Sequence, residues 1–117
     1  MWLARASAIL ISRMTVSERT RLEELILAAL CQGAFDLAAR NKVMHRLASY
    51  RFAMDSHQVV YRALASIPTA DPQRLRELLP ARVNNLGFPD TDWENLLAPR
   101  TFERDHLAAQ LDSLLAG

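Results

Sequence analysis

The chain has 117 residues, a length that suits a single domain built around one core. Half of it is apolar, 23% is charged and only three residues are glycine, which excludes a disordered or low-complexity chain. The formal net charge of +1, from thirteen arginines and one lysine against the acids, leaves no general pull toward nucleic acid, so any basic contact must come from a local patch. Few aromatics and an abundance of leucine and alanine favour helices over sheets. The single cysteine, Cys31, excludes an internal disulfide framework and a cysteine-built zinc cage, and reads as a small apolar residue at a helix end.

In chain order, residues 1–14 read either as a short amphipathic helix, with Trp2, Ala6, Ile9 and Leu10 on one side, or as an arm. Their apolar run, Ala8 to Ile11, is too short to span a bilayer and is followed by Arg13 with no small-residue cleavage site. The expectation is therefore a cytoplasmic protein with no membrane segment, in which residues 15–117 form a single helical domain. Thr15-Val16-Ser17-Glu18 is a capping box and predicts a helix start, after which Leu22, Leu25, Ile26, Ala29 and Leu30 form one apolar stripe up to a stop at Gly33. Ala34 to Ala48 is helical in composition, with Phe35, Ala38, Ala39, Val43 and Leu47 roughly on one side and Asn41 as a candidate break.

Phe52 then anchors a corner, and Asp55 with Gln58 three residues later reads as a capping box opening the next helix. His57, Val60, Tyr61 and Leu64 follow at i, i+3, i+4 and i+7, on one face. This helix–corner–helix unit is expected to organise the rest of the chain. Asp71-Pro72 starts another helix whose inner face is Leu75, Leu78 and Leu79 and which Pro80 closes. Arg82 to Pro89 reads as a connection with Gly87 in the left-handed region. Thr91 to Glu94 reads as a further capping box, Pro99 as a stop, and Thr101 as the cap of a last helix carrying Phe102, Leu107, Leu111, Leu114 and Leu115. No alternating run supports a strand, so the predicted fold is all-α, a compact orthogonal bundle of about five to seven helices.

Of the three histidines, His45 and His106 stand alone, and His57 is read as a partly buried ring bonded to a backbone carbonyl across the corner. The chain has no His-x-x-x-His or Cys-x-x-Cys spacing, no nucleophile elbow and no phosphate-cradling glycine loop. Of the acid pairs, Glu23-Glu24 reads as lying near a helix start, where negative charge is favoured, and Asp90-Asp92 as framing a cap. No catalytic residue, cofactor or metal is therefore expected. Two sets of residues remain as candidate contacts. Arg40, Lys42, Arg46 and Arg51 form a basic cluster that would touch phosphate if the chain bound nucleic acid, and Leu107, Leu111 and Leu114 have the heptad-like spacing of a partner surface.

The pattern Phe52, His57, Val60-Tyr61 and Leu64, preceded by Leu47 and by Leu22, Leu25, Ile26, Ala29 and Leu30, resembles the amino-terminal domain of bacterial replicative helicases of the DnaB type. The helicase-binding domain of DnaG-type primases has a similar helical plan. The resemblance runs from Leu22 to Leu79 and implies a non-catalytic module that self-associates and docks primase or loader proteins. The chain departs from the pattern after Leu79, where a proline-bounded segment and one terminal helix replace the family's pairing hairpin. The expectation is thus a protein–protein interaction module linked to DNA replication, with a helical nucleic-acid-binding regulator using residues 40–51 as the alternative.

Overall fold

A computed structural model describes residues 15–87 and 91–116; the N-terminal helix or arm expected before Thr15 lies outside them. Among the described residues six helices make up the fold and no strand occurs. They are α1 (Val16–Cys31), α2 (Leu37–Arg46), α3 (Asp55–Ala65), α4 (Pro72–Asn85), the single turn α5 (Trp93–Leu96) and α6 (Arg104–Ala116). The all-α multi-helix bundle is therefore the architecture.

Helix α1 is the axis of this bundle. Thr15 Oγ1 accepts from the Glu18 amide at 3.1 Å and Glu18 Oε2 accepts from the Thr15 amide at 3.3 Å, which pins the first turn. The C-terminal half leaves the amphipathic pattern: every residue from Ile26 to Cys31 is buried, while Leu22 and Leu25 are only partly so. A helix apolar on all sides needs neighbours on all sides. Here α3, α4, α5 and α6 pack around α1, so the central place belongs to α1 rather than to the corner unit.

The chain leaves α1 through a Schellman turn, in which the Ala34 amide donates to Ala29 O at 2.9 Å and the Gly33 amide to Leu30 O at 3.3 Å. Gly33 takes φ +66°, the left-handed conformation that glycine adopts without strain. Asp36 caps α2 by accepting from the Ala39 amide at 2.8 Å, and α2 runs through Asn41 unbroken. Its buried positions are Arg40, Val43 and Met44, whereas Ala38 is exposed.

Four expected boundaries move. Asp55 is the first residue of α3, not its cap; Met54 holds the N-cap position with no side-chain bond. Helix α4 begins at the Asp71 cap but continues past Pro80 to Asn85, which overturns the expected stop. Proline there forfeits one backbone bond and costs about 3 kcal/mol, but Leu75, Leu79 and Val83 at i, i+4 and i+8 are fully buried. Burying a valine returns about 1.5–3 kcal/mol, and the later helical bonds add to it. Leu78, expected inside, is 37% exposed. Asp92, not Thr91, caps α5 by accepting from the Asn95 amide at 3.2 Å, and α6 starts three residues beyond Thr101.

A methyl group placed on Gly33 would stand 2.6 Å from Ala70 O and 2.8 Å from Pro72 Cγ. Gly33→Ala is expected to lose about 2 kcal/mol from left-handed backbone strain and this backbone clash together, read as a lowered urea midpoint at unchanged slope.

Candidate functional site

Of the residues singled out at the corner, His57 meets a carboxylate that lies far away in sequence. Glu23 sits on α1 in register with Ile26, Leu27 and Leu30, and its side chain is fully buried. Its Oε1 faces His57 Nδ1 at 3.0 Å. Its Oε2 accepts from Tyr50 Oη at 2.5 Å and from the Ala53 amide at 2.8 Å, and stands 3.4 Å from Arg19 Nε. Arg19 Nε also donates to Tyr50 Oη at 2.7 Å, and its Nη2 donates to the Arg51 carbonyl. One anion thus gathers donors from α1, the 47–54 loop and α3.

His57 therefore pairs with a carboxylate and not with the backbone carbonyl expected for it. An ionised carboxylate only accepts, so His57 must carry its proton on Nδ1. Gln58, free of the expected capping box, turns its Oε1 back to accept from the Phe52 amide at 3.3 Å. Phe52 itself is buried between Tyr50, edge-on at 4.9 Å between centroids, and Tyr61 at 5.6 Å. Tyr61 is half-buried and its hydroxyl donates to Met44 O at 2.8 Å, tying α3 to α2. Val60 and Leu64 are fully buried beneath. The corner is a packed and hydrogen-bonded joint.

Its chemistry follows from burial. Desolvation pushes the Glu23 carboxyl upward, but hydrogen bonds from His57, Tyr50 and the Ala53 amide outweigh it and hold the group below its ordinary value. Desolvation and the neighbouring Glu23 push the Tyr50 phenol up to about 12. The remaining His57 nitrogen, Nε2, has no partner among the described residues, and the ring borders a cleft of about 110 Å³ lined also by Glu24, Ser56, Asp92 and Asn95. The Cys31 thiol is buried and pushed up to about 12, so it stays protonated and unreactive at neutral pH. No group of three His, Cys, Asp or Glu side chains among the described residues is placed to hold a metal ion.

The basic cluster does not survive as a surface. Arg40 is buried, and its Nη2 donates to Leu64 O at 2.6 Å and Ile67 O at 2.8 Å. It meets the Leu64 carbonyl in the last turn of α3 and the Ile67 carbonyl just beyond it, where a cation also faces the negative end of the helix dipole. Arg40 is thus excluded from phosphate contact, and burial lowers its pKa from the ordinary value. Arg46 Nη2 donates to Asp112 Oδ1 at 2.7 Å. Arg51 and Lys42 are exposed, but Arg51 lies on the corner loop, apart from the α2 helix that carries Lys42.

The leucines of α6 are also placed differently from expectation. Leu107, Leu111 and Leu114 are buried at 2–3% exposure and close the core against α1, so they do not form a free partner stripe. Two of them have a second side. Leu107 and Leu111 join Phe35, Ala39 and Val43 as the floor of a groove of about 240 Å³ between α2 and α6. Lys42, Arg46 and Arg104 stand on its rim. Ion pairs join the two helices, Arg104 to Asp36 at 3.7 Å near both N-termini and Arg46 to Asp112 at 2.7 Å further along. The two sets chosen from the sequence, one basic and one apolar, therefore meet here through Lys42, Arg46, Leu107 and Leu111.

Glu23, Tyr50 and Arg19 were not identified as site residues from the sequence. A signal for Glu23 existed, since an acid three, four and seven positions ahead of Ile26, Leu27 and Leu30 shares their face. Comparison with family models, with curated proteins and with solved structures gives no match for this chain. No helix among the described residues is long and apolar enough to cross a membrane.

Because the folded-state pKa of Glu23 is depressed, its contribution to stability is present above its ordinary value of 4.5 and is lost as pH falls through the folded value. Glu23→Gln is expected to cost about 2–4 kcal/mol at pH 7, since two donors then face an amide nitrogen in a buried site. Urea titrations from pH 7 to 3 should show stability falling steeply below pH 4.5 in the parent and less steeply in the variant. Parallel curves would remove Glu23 as the source of the acid sensitivity.

Proposed function

We propose that the chain is a non-catalytic protein–protein interaction module that seats an amphipathic helix of a replication protein in the α2/α6 groove. The observation that carries the docking half of this reading is the groove itself, an apolar lining of Phe35, Ala39 and Ala108 over the buried Val43, Leu107 and Leu111, with the cations Lys42, Arg46 and Arg104 at its rim. Apolar grooves between helices are the usual receptors for a helix that carries a narrow apolar face. The rim favours an occupant with acidic flanks. Lys42 has no carboxylate partner among the described residues, and the Arg46–Asp112 and Arg104–Asp36 pairs are solvent-exposed. Exposed pairs of this kind are worth about 0–1 kcal/mol, so either arginine can exchange its partner for an incoming carboxylate at little cost.

The replication half rests on the likeness of Phe52, His57, Val60-Tyr61 and Leu64 to the DnaB-type helicase amino-terminal domain, which implies primase, helicase or loader as the partner. Self-association is implied by the same likeness. The nucleic-acid alternative is weakened because Arg40 is spent inside the fold.

Ala108 is exposed and lines the groove, so Ala108→Arg fills it without touching the core. Calorimetric titration of the purified chain with the host's primase, helicase and loader should give binding to one of them, weakened at least about tenfold by Ala108→Arg. Binding that Ala108→Arg leaves intact would move the seat elsewhere, and no binding to any of the three would end the replication reading.

A further inference from the structure

A second surface of different character lies between α4 and the α3–α4 connection. Arg74, Leu78 and Arg82 follow one another at i, i+4 and i+8 along α4, which places them in a row about 12 Å long on one side of the helix. They form one wall of a cleft of about 430 Å³, whose other wall is the connection from Ser66 to Thr69. Ile67 and Pro68 contribute apolar surface in that wall, and Leu78 is 37% exposed between the two cations.

The charges in this cleft are unspent. Arg19, Arg46 and Arg104 each meet a carboxylate, in Glu23, Asp112 and Asp36. Arg74 and Arg82 meet none among the described residues. Arg82 Nη1 donates to Ser66 Oγ at 2.9 Å, which orients its guanidinium along the cleft; Ser66 Oγ in turn donates to Ala63 O at 2.7 Å. The nearest acids on α4 are committed locally, Asp71 to the Gln73 amide and Glu77 to the Gln73 side chain.

We propose that the Arg74–Leu78–Arg82 cleft is a docking site for a second partner segment, a helical stretch of another protein that carries two carboxylates about two turns apart with an apolar side chain between them. Arginine forks suit planar carboxylates, and the exposed leucine with Ile67 and Pro68 supplies an apolar seat for the middle residue. A nucleic-acid strand fits less well. Its charge repeats along its whole length, the cleft offers two cations separated by apolar surface, and no aromatic ring among the described residues lines it for a base to stack on. This inference is independent of the α2/α6 groove, which shares no residue with the cleft.

The test uses the whole chain and a fluorescein-labelled helical peptide with glutamates about seven residues apart on either side of a leucine, followed by anisotropy. Saturable binding is expected. It should weaken at least about tenfold when the glutamates become glutamines, or in the double variant Arg74→Glu, Arg82→Glu, whose exposed positions leave the circular dichroism spectrum unchanged. Ala108→Arg should bind the peptide as the parent does, so failure of the first groove and failure of this one give different results. No saturable binding, binding indifferent to the arginine reversals, or tighter binding of a labelled single-stranded oligonucleotide would overturn the proposal. So would a dimer in sedimentation that the same reversals dissolve, since a second copy would then occupy the cleft.

Discussion

A negative charge held in the middle of the bundle constrains much else. Removing a carboxylate from water is costly, and the cost is tolerable only when donors replace the lost hydration on both oxygens. Glu23 meets this condition with His57, Tyr50, the Ala53 amide and Arg19, drawn from three separate parts of the chain. The 47–54 loop accordingly has to pass close to α1, and α3 has to begin where His57 can reach back. Phe52 is then enclosed between two tyrosines by the same approach. The corner's geometry follows from hydrogen-bond demand as much as from apolar packing.

Arginine does several unlike jobs in this fold, and burial decides which. Arg19 supports the Glu23 site from its edge, with its side chain 40% exposed. Arg40 is taken inside as a cap for the end of α3, with no carboxylate to balance it and no partner for its Nε among the described residues. Arg46 and Arg104 brace α2 against α6 from outside. Arg74 and Arg82 retain their charge for solvent or for a ligand. A net charge of +1 conceals this division, because what matters for recognition is which cations remain unpaired and whether apolar surface lies beside them.

The two surfaces proposed for contact differ in the same terms. Between α2 and α6 the groove is mainly apolar and its rim cations are largely paired, so shape and burial would dominate the energy of an occupant. Beside α4 the apolar part is one leucine with its loop neighbours, and two unpaired guanidiniums would dominate. The corner fastens α3 to α1 through His57 and Glu23 and to α2 through Tyr61 and Met44 O.

What the chain declares locally it declares well. The Thr15–Glu18 capping box, the left-handed glycines at 33 and 87, the Asp71-Pro72 start and the all-helical composition are each settled by residues within about four positions of one another, and so they can be read from the sequence. The inward placement of Val60 and Leu64 has the same origin in helical period. Other features needed the folded chain. Glu23 and His57 are 34 positions apart and Arg40 and Leu64 are 24 apart, and no local rule says that an acid or an arginine will be buried when its partners arrive from elsewhere. The continuation of α4 through Pro80 and the exposure of Leu78 were likewise decided by whether Val83 or Leu78 met a neighbouring helix. Composition, caps and period determined that this would be a helical bundle. Packing alone decided which charges it would swallow and which it would leave in water, because desolvation depends on neighbours that only the tertiary structure supplies.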